Sequence, residues 1–567
     1  MRICVLDLRV YPRNSMRYLL GVFILSIFWI IPTHADAAIF FINKDFDAQG
    51  RESIEVDPEI TGRNAYFFVE RDYINSLPQT EISRLNIKIR NLSSEFDANI
   101  YPKLRNIFGK ERSPGIDNDE KITILLHDMK GGVGGYVRDL DGYEGIDSNE
   151  REMIYINIDD VLNNGLGPSY IAHEFQHLIT FNQKTIVLGV GEEKWLNEAR
   201  SEYAPTAAGY SDGRKDSYLA KRTGEFLSHP SDALVDWRGR SIDHASVSMF
   251  IHYLVDRYGV EIFSQMMSAN SVGVSSINQA VLNLGHTERF DEIFSDWVVA
   301  VYVNSETDNE PDKYSYKNTN LSFGNLHVLP SSTSRIYGNY SSVSSFVLDN
   351  WSGQWHRFVP GSLGEDSTLH IKFSTNNASD LSMPYVVSDF FGGTEVKFFD
   401  LTGGSVLSVP QFGTFISSVV VMPNLVVGGS ENISSMGGVS IEAFVSNSFV
   451  DRFFEGALVR AVGDSRVFIV KNGREIGKTF MRWIQTEQVF GFYNHFTWSD
   501  IIDIKPELLA GFEESFLIRK AGDPRVYEVD SFGRKTWLDI TASEFESSGR
   551  SWDAVYEVND VEFNWYR

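Results

Sequence analysis

Apolar positions recur every three or four residues in one half of this chain, and in short runs or every second residue in the other. From Pro168, a residue suited to a first helical turn, Ile171, Phe175, Leu178 and Ile179 fall on one face and predict a helix packed on a core. A second helical pattern opens at Trp195, with Trp195, Glu198 and Glu202 at i, i+3 and i+7 and hence on a shared face. The clearest stripe is Val247, Phe250, Ile251, Leu254, Val255 and Tyr258, followed by Gly259 where a helix commonly stops. On that helix His244 lies on the side of the stripe and His252 near the polar side. A last helical segment covers 290–297. Upstream, 121–126 and 153–158 are apolar runs that read as strands, and the glycine-rich 131–135 between them reads as a flexible edge beside a cleft. It lacks the GK[ST] ending of a phosphate cradle.

After Asn304 the texture changes. A polar linker is expected at 306–312, and short β-branched runs separated by Ser, Gly and Asn over 320–450 predict a β-sandwich. Leu369 to Ser374 alternates as a strand with one buried face should. Leu458, Arg460, Gly463, Asp464, Arg466 and Val467 recur as Leu517, Arg519, Gly522, Asp523, Arg525 and Val526, so 451–567 reads as two tandem β-rich repeats. Their tryptophans, Trp498 and Trp552 among them, are expected in small-domain cores, with cell-surface or polysaccharide contact as the alternative. The predicted organisation is multidomain α+β: a leader at 1–37, an α/β part at 38–165, a helical part at 166–305, then the sandwich and the repeats.

Composition narrows the partners. With 76 acidic against 51 basic residues the net charge is −25, which argues against nucleic acid. Residues 18–31 are apolar, follow Arg17, and precede Ala35-Asp36-Ala37, the pattern of an export signal cut before Ala38. The single cysteine, Cys4, lies upstream of that cut, so the mature chain is expected to be thiol-free, monomeric, and secreted or at the cell surface, extracellular or periplasmic. Asp117, Asp119, Asp139 and Asp141 lie in Gly-containing loops and read as ordinary acidic turns, with Ca2+ ligation as the alternative.

The chemistry concentrates in His173-Glu174-Phe175-Gln176-His177. Histidines at i and i+4 share a helix face and can converge on one Zn2+ while the intervening Glu174 stands beside them as a base. A catalytic zinc needs a third ligand and an open position, and Glu198 or Glu202 on the next helix can supply the carboxylate. Buried without partners, two such carboxylates would be costly.

These phrases resemble the gluzincin metallopeptidases, whose thermolysin-like members carry HExxH and then NExxSD. The likeness is closer to bacterial hyicolysin-type secreted peptidases, in which His-Glu-Phe-Gln-His and Trp-Leu-Asn-Glu recur together, preceded by segments like 114–119 and 148–153 here. It spans residues 85 to 305. The resemblance implies a zincin-like catalytic domain acting as an endopeptidase on proteins or peptides, with His173, His177 and Glu198 as zinc ligands and Glu174 as general base. It also implies a hydrogen bond from a ligand imidazole to Glu202, although the family has the shorter Asp there. For the oxyanion donor the candidate is His244, with Tyr203 and Tyr253 open. A metzincin pattern fails at Thr180 and Gln183. The competing classes are a surface-binding protein with a degenerate peptidase domain and a zinc hydrolase of non-peptide substrates.

Overall fold

The computed structural model describes residues 38–211, 217–304, 312–337, 341–361, 363, 367–376, 378–427, 436–446, 455–474, 478–504 and 506–567. The leader expected at 1–37 and nearly all of the expected linker lie outside them. No helix of the described residues is long and apolar enough to cross a membrane.

The N-terminal part is a six-stranded sheet of β1 (Ala38–Phe41), β2 (Ser53–Thr61), β3 (Ala65–Glu70), β4 (Ile122–His127), β5 (Gly135–Tyr136) and β6 (Met153–Asn157), in the order β1-β2-β3-β4-β6-β5. β3, β4 and β6 run parallel, and β5 closes one edge antiparallel to β6. Every residue of β4 and β6 is buried, as the unbroken apolar runs require of parallel strands covered on both faces. Ile124, Leu126, Ile154 and Ile156 belong to the large helical core, whereas Leu125, Met153 and Tyr155 join Phe40, Ile54 and Val56 in a smaller cluster. The glycine-rich 131–135 is thus more than a flexible edge, because Gly135 is itself hydrogen-bonded in the sheet.

The helices are α1 (Arg71–Ser76), α2 (Gln79–Glu95), α3 (Tyr101–Phe108), α4 (Gly167–Thr180), α5 (Lys194–Ala208), α6 (Tyr218–Ser228), α7 (Ser241–Tyr258), α8 (Glu261–Ser268), α9 (Gly273–Asn283) and α10 (Phe290–Val303). α4 lies against β6 and α5, α5 against α7, and α7 against α6. Gly259 ends α7 at φ 79°, a left-handed conformation that costs glycine little.

The return from α4 to α5 is clipped by charge. Lys184 is fully buried and donates to the carbonyls of Ala269 (2.7 Å), Ser271 (2.8 Å) and Met266 (3.3 Å), with Glu192 at 3.6 Å. Glu192 in turn pairs with buried Arg200 at 2.9 Å and accepts from Gly273 N–H. Removing the ammonium leaves a buried carboxylate and three carbonyls short of a donor. Lys184→Met is therefore expected to lower unfolding free energy by ~3 kcal/mol, read from denaturant titration.

Beyond α10, a four-stranded and a five-stranded sheet share one core: Leu348, Leu369, Ile371, Phe373 and Ile441 come from the first, Phe358, Tyr385, Val419 and Val421 from the second. The strand Thr368–Thr375 departs from strict alternation, since His370 is also buried, stacked on Phe444 with ring centroids 5.2 Å apart. This region docks on α10 through Trp355, whose Nε1 donates to Val298 O at 3.0 Å, and Trp351, which packs on Phe290 and Phe294.

The repeats fold alike. In each unit the first strand (Leu458–Ala461, Leu517–Lys520) pairs antiparallel with the second and parallel with the last (Ile501–Ile504, Tyr556–Val558). Trp498 and Trp552 do not fill cores. They are 57% and 41% exposed, each laid on the phenyl ring of a short helix, Phe490 at 4.4 Å and Phe545 at 4.2 Å.

Candidate metal centre

α4 is fixed by its apolar face, with Phe175 stacked on Tyr101 (5.5 Å) and edge-on to Phe96 (5.2 Å). That anchoring turns His173, Glu174 and His177 toward α5 and the sheet edge. Glu198 of α5 meets the two imidazoles: its Oε2 lies 3.4 Å from His173 Nε2 and 3.5 Å from His177 Nε2. His244 Nδ1, from the first turn of α7, is 3.6 Å from the same oxygen. Glu198 Oε2 is buried and has no hydrogen-bond partner. Ligands held at 2.0–2.2 Å in a tetrahedron stand about 3.3–3.6 Å apart, so an orphaned carboxylate oxygen at this spacing from imidazole nitrogens fits a shared cation. Ligand atoms of His173, Glu198 and His244 also lie within 4.8 Å of one another.

The electrostatics ask for positive charge here. Burial works against ionised Glu198, but His177, His173 and His244 outweigh it and hold the carboxyl well below its usual range. Burial also pushes His177 down, yet Glu198 and Glu174 raise it to about 9. Its Nδ1 is committed: Ser201 Oγ donates to Gln176 Oε1 at 2.5 Å, so it offers His177 Nδ1, 3.1 Å away, only a lone pair. Nδ1 therefore carries hydrogen, and Nε2 is the atom left for a cation.

Glu174 is buried, and burial first, with Glu198 adding, lifts its carboxyl to about 8 against the pull of His177. A cation among the neighbouring imidazoles would draw it back toward the carboxylate range. Its side chain presses on β5: a Cβ on Gly135 would come within 2.8 Å of Glu174 Cγ and 3.0 Å of its Oε1. Only glycine lets the edge strand pass so close to this carboxyl.

Several expectations need correction. Glu202 does not hydrogen-bond a ligand imidazole, since its Oε1 is 3.9 Å from His173 Nδ1, nor is it free to be a ligand. Being longer than Asp, it reaches past the histidine to Arg222 Nη2 (2.8 Å), Tyr218 OH (2.8 Å) and His244 Nδ1 (3.1 Å), and Arg222 first, then His244 and His173, hold it far below the usual carboxylate range despite burial. Trp195 does not share its working face, because its ring enters the core against Phe290 and its Nε1 donates to Glu193. Tyr203 packs on His252 and Phe263, and Tyr253 donates to Lys313 O at 2.9 Å, so neither reaches the centre. His252 is buried rather than near a polar surface, bonded to Thr206 Oγ1 and Ser248 O, and burial lowers it to about 4.

Three of the four candidate calcium ligands are engaged in hydrogen bonds within the protein. Asp119 accepts from Tyr66 and Lys121 N–H, Asp117 from Asp119 N–H, and Asp141 from Tyr155 and Asn149 N–H, as turn-forming aspartates do. Sequence reasoning did not find Tyr218 and Arg222, which stand one turn apart on α6 with Tyr218 OH 3.2 Å from His173 Nδ1. Their i, i+4 spacing is visible, but nothing local ties it to His173.

No family model matches the chain. The neutral metalloprotease ShpI of Staphylococcus hyicus is 26% identical over 243 residues, 39% of this chain and 49% of that protein. The chain thus matches about half the length of this curated relative. Among solved structures, the M60 catalytic domain with the CBM51-1 and CBM51-2 domains of Clostridium perfringens ZmpB overlays on 72% of this chain and 62% of its own, at 10% identity and a TM-score of 0.25. The ZmpB metallopeptidase of the same organism overlays on 64% of this chain and 65% of its own, at 13% identity and 0.23. Overlays at such scores carry no argument about the fold.

Proposed function

We propose that this chain is a secreted, zinc-dependent endopeptidase of gluzincin type, in which His173, His177 and Glu198 hold the metal. The observation that carries the reading is the orphaned Oε2 of Glu198 set among imidazole nitrogens, with Glu174 beside it on the same helix as the two histidines. A zinc ion bound there supplies a water of lowered pKa and polarises the scissile carbonyl. Glu174 takes the proton of the attacking water and hands it to the leaving amine. His244 gives its Nδ1–H to Glu202, so it is the doubly protonated imidazole that has an Nε2–H to offer the developing oxyanion, with the Trp237 ring 4.7 Å away holding it. β5 is an edge strand, and an extended peptide adding to it passes Glu174 where Gly135 leaves room. That shape suits a protein or peptide substrate.

A second reading is favoured by one observation. His244 lies as near the Glu198 oxygen as the two helix histidines, and as a fourth ligand it would close the open position and leave a structural site in a binding protein. Incubation with an unfolded protein, followed by mapping of new amino termini, separates the two. New termini that vanish with a zinc chelator support the peptidase, and intact substrate beside bound zinc supports the closed site.

The repeats stand apart from this chemistry, since among the described residues their hydrophobic clusters contain none before Ala457. Deleting 451–567 is expected to leave kcat/KM on a short peptide within about twofold of the full chain. A larger loss would make the repeats part of the catalytic structure. Their exposed Trp498 and Trp552 suit contact with a cell surface or polysaccharide.

A further inference from the structure

Tyr218 stands where the resemblance led one to expect a carboxylate. It opens α6, behind a Ser217 cap that accepts from Ala220 N–H, and its ring is buried edge-on to Tyr170. Its hydroxyl meets three groups at once: His173 Nδ1 at 3.2 Å, Glu202 Oε1 at 2.8 Å and Arg222 Nη2 at 3.1 Å. A phenol has one hydrogen to give and two lone pairs to offer. Arg222 can only donate, and it does so to both the carboxylate and the phenol. Glu202, gripped by that guanidinium, can only accept, so the phenol hydrogen goes to it. Toward His173 the phenol therefore has a lone pair alone, and His173 Nδ1 must carry the hydrogen. Nε2 is then the nitrogen left for a cation, and it is the one that faces Glu198 Oε2 at 3.4 Å.

We propose that Tyr218, with its hydroxyl oriented by the Arg222–Glu202 pair, is the positioning residue that fixes the tautomer of His173 and so makes Nε2 a metal ligand. The same carboxylate accepts from His244 Nδ1 at 3.1 Å, which places the orientation of a ligand and of the candidate oxyanion donor under one buried ion pair. His177 is oriented separately, by Ser201. The consequence for metal affinity rests on the zinc reading above, but the tautomer assignment does not.

The test compares Tyr218→Phe with Tyr170→Phe, a neighbouring ring packed edge-on to Tyr218. Two quantities are measured: the tautomer of His173 in the metal-free protein, from two-bond 15N–1H correlations of labelled imidazoles, and zinc affinity by competition with a chromogenic chelator. In the wild type and Tyr170→Phe, His173 is expected as the Nδ1–H form. In Tyr218→Phe that preference is lost, and zinc binds 10–100-fold more weakly, the usual cost of removing a partner behind a ligand histidine. An unchanged His173 tautomer in Tyr218→Phe overturns the proposal. So does a loss of zinc affinity of the same size in Tyr170→Phe, which would mark a packing effect. If the wild type fails to bind zinc while the tautomer still shifts in Tyr218→Phe, the metal reading falls and the positioning role stands.

Discussion

Glu174→Gln is expected to fold, to bind zinc as the wild type does, and to lose ~10^3–10^4-fold in kcat on a peptide substrate with KM little changed. The amide matches the carboxyl in volume, so the contact with β5 at Gly135 survives. What disappears is the group able to take and return a proton. The metal-free proteins should differ in a second way. Burial raises the Glu174 carboxyl to about 8, above its value of about 4.3 in the unfolded chain. An acid with a raised folded pKa binds its proton more tightly when folded, so it costs stability increasingly as pH climbs from about 4 to about 8. Metal-free Glu174→Gln escapes that cost, and its melting temperature should exceed that of the metal-free wild type by a margin that grows over this range and then levels. Equal activity in the two proteins would remove Glu174 from the chemistry.

Glu198→Ala is expected to do more, because it deletes the oxygen around which the imidazoles gather. Zinc affinity should fall by ~10^3-fold or more, beyond the 10–100-fold that loss of an outer partner costs, and activity should be undetectable at micromolar zinc. His177 also loses the carboxylate that sustains its positive charge against burial. The metal-free variant is therefore expected to unfold more readily than the wild type by ~3 kcal/mol at neutral pH. Dialysis against zinc followed by metal analysis and thermal melts reads both effects. Full zinc occupancy in Glu198→Ala would mean that another residue, with His244 first in line, is the third ligand.

The parts of this centre legible in sequence are those set by local geometry. His173 and His177 fall on one face because helical spacing dictates it, and Glu198 follows on the next long helix, α5, which packs against α4. The buried strands were equally plain, since unbroken apolar runs such as Ile122–His127 have few other fates. What escaped depends on distance or on enclosure. Tyr218 is 45 positions from His173, and only the packing of α6 on α7 brings it near. Glu202 has the right neighbourhood for an imidazole partner, but its extra methylene carries it to Arg222. His252 was misplaced because α7 is buried almost all round, so its polar side faces interior partners such as Thr206 rather than water. Trp498 and Trp552 differ in the opposite sense: composition counts an indole as core, and here each of the two rests on a phenyl ring with its outer part in solvent, whereas Trp483 and Trp565 do pack on the repeat cores.

If His173, His177 and Glu198 hold one zinc ion that hydrolysis requires, stripping the full chain with a chelator and titrating zinc back, while recording bound metal and peptide hydrolysis together, has one expected course. Both vanish on stripping and return in parallel, saturating at one zinc per chain, with Glu198→Ala failing to recover either. Hydrolysis that persists in the stripped protein, or zinc that rebinds at one per chain without restoring hydrolysis, would contradict this assignment.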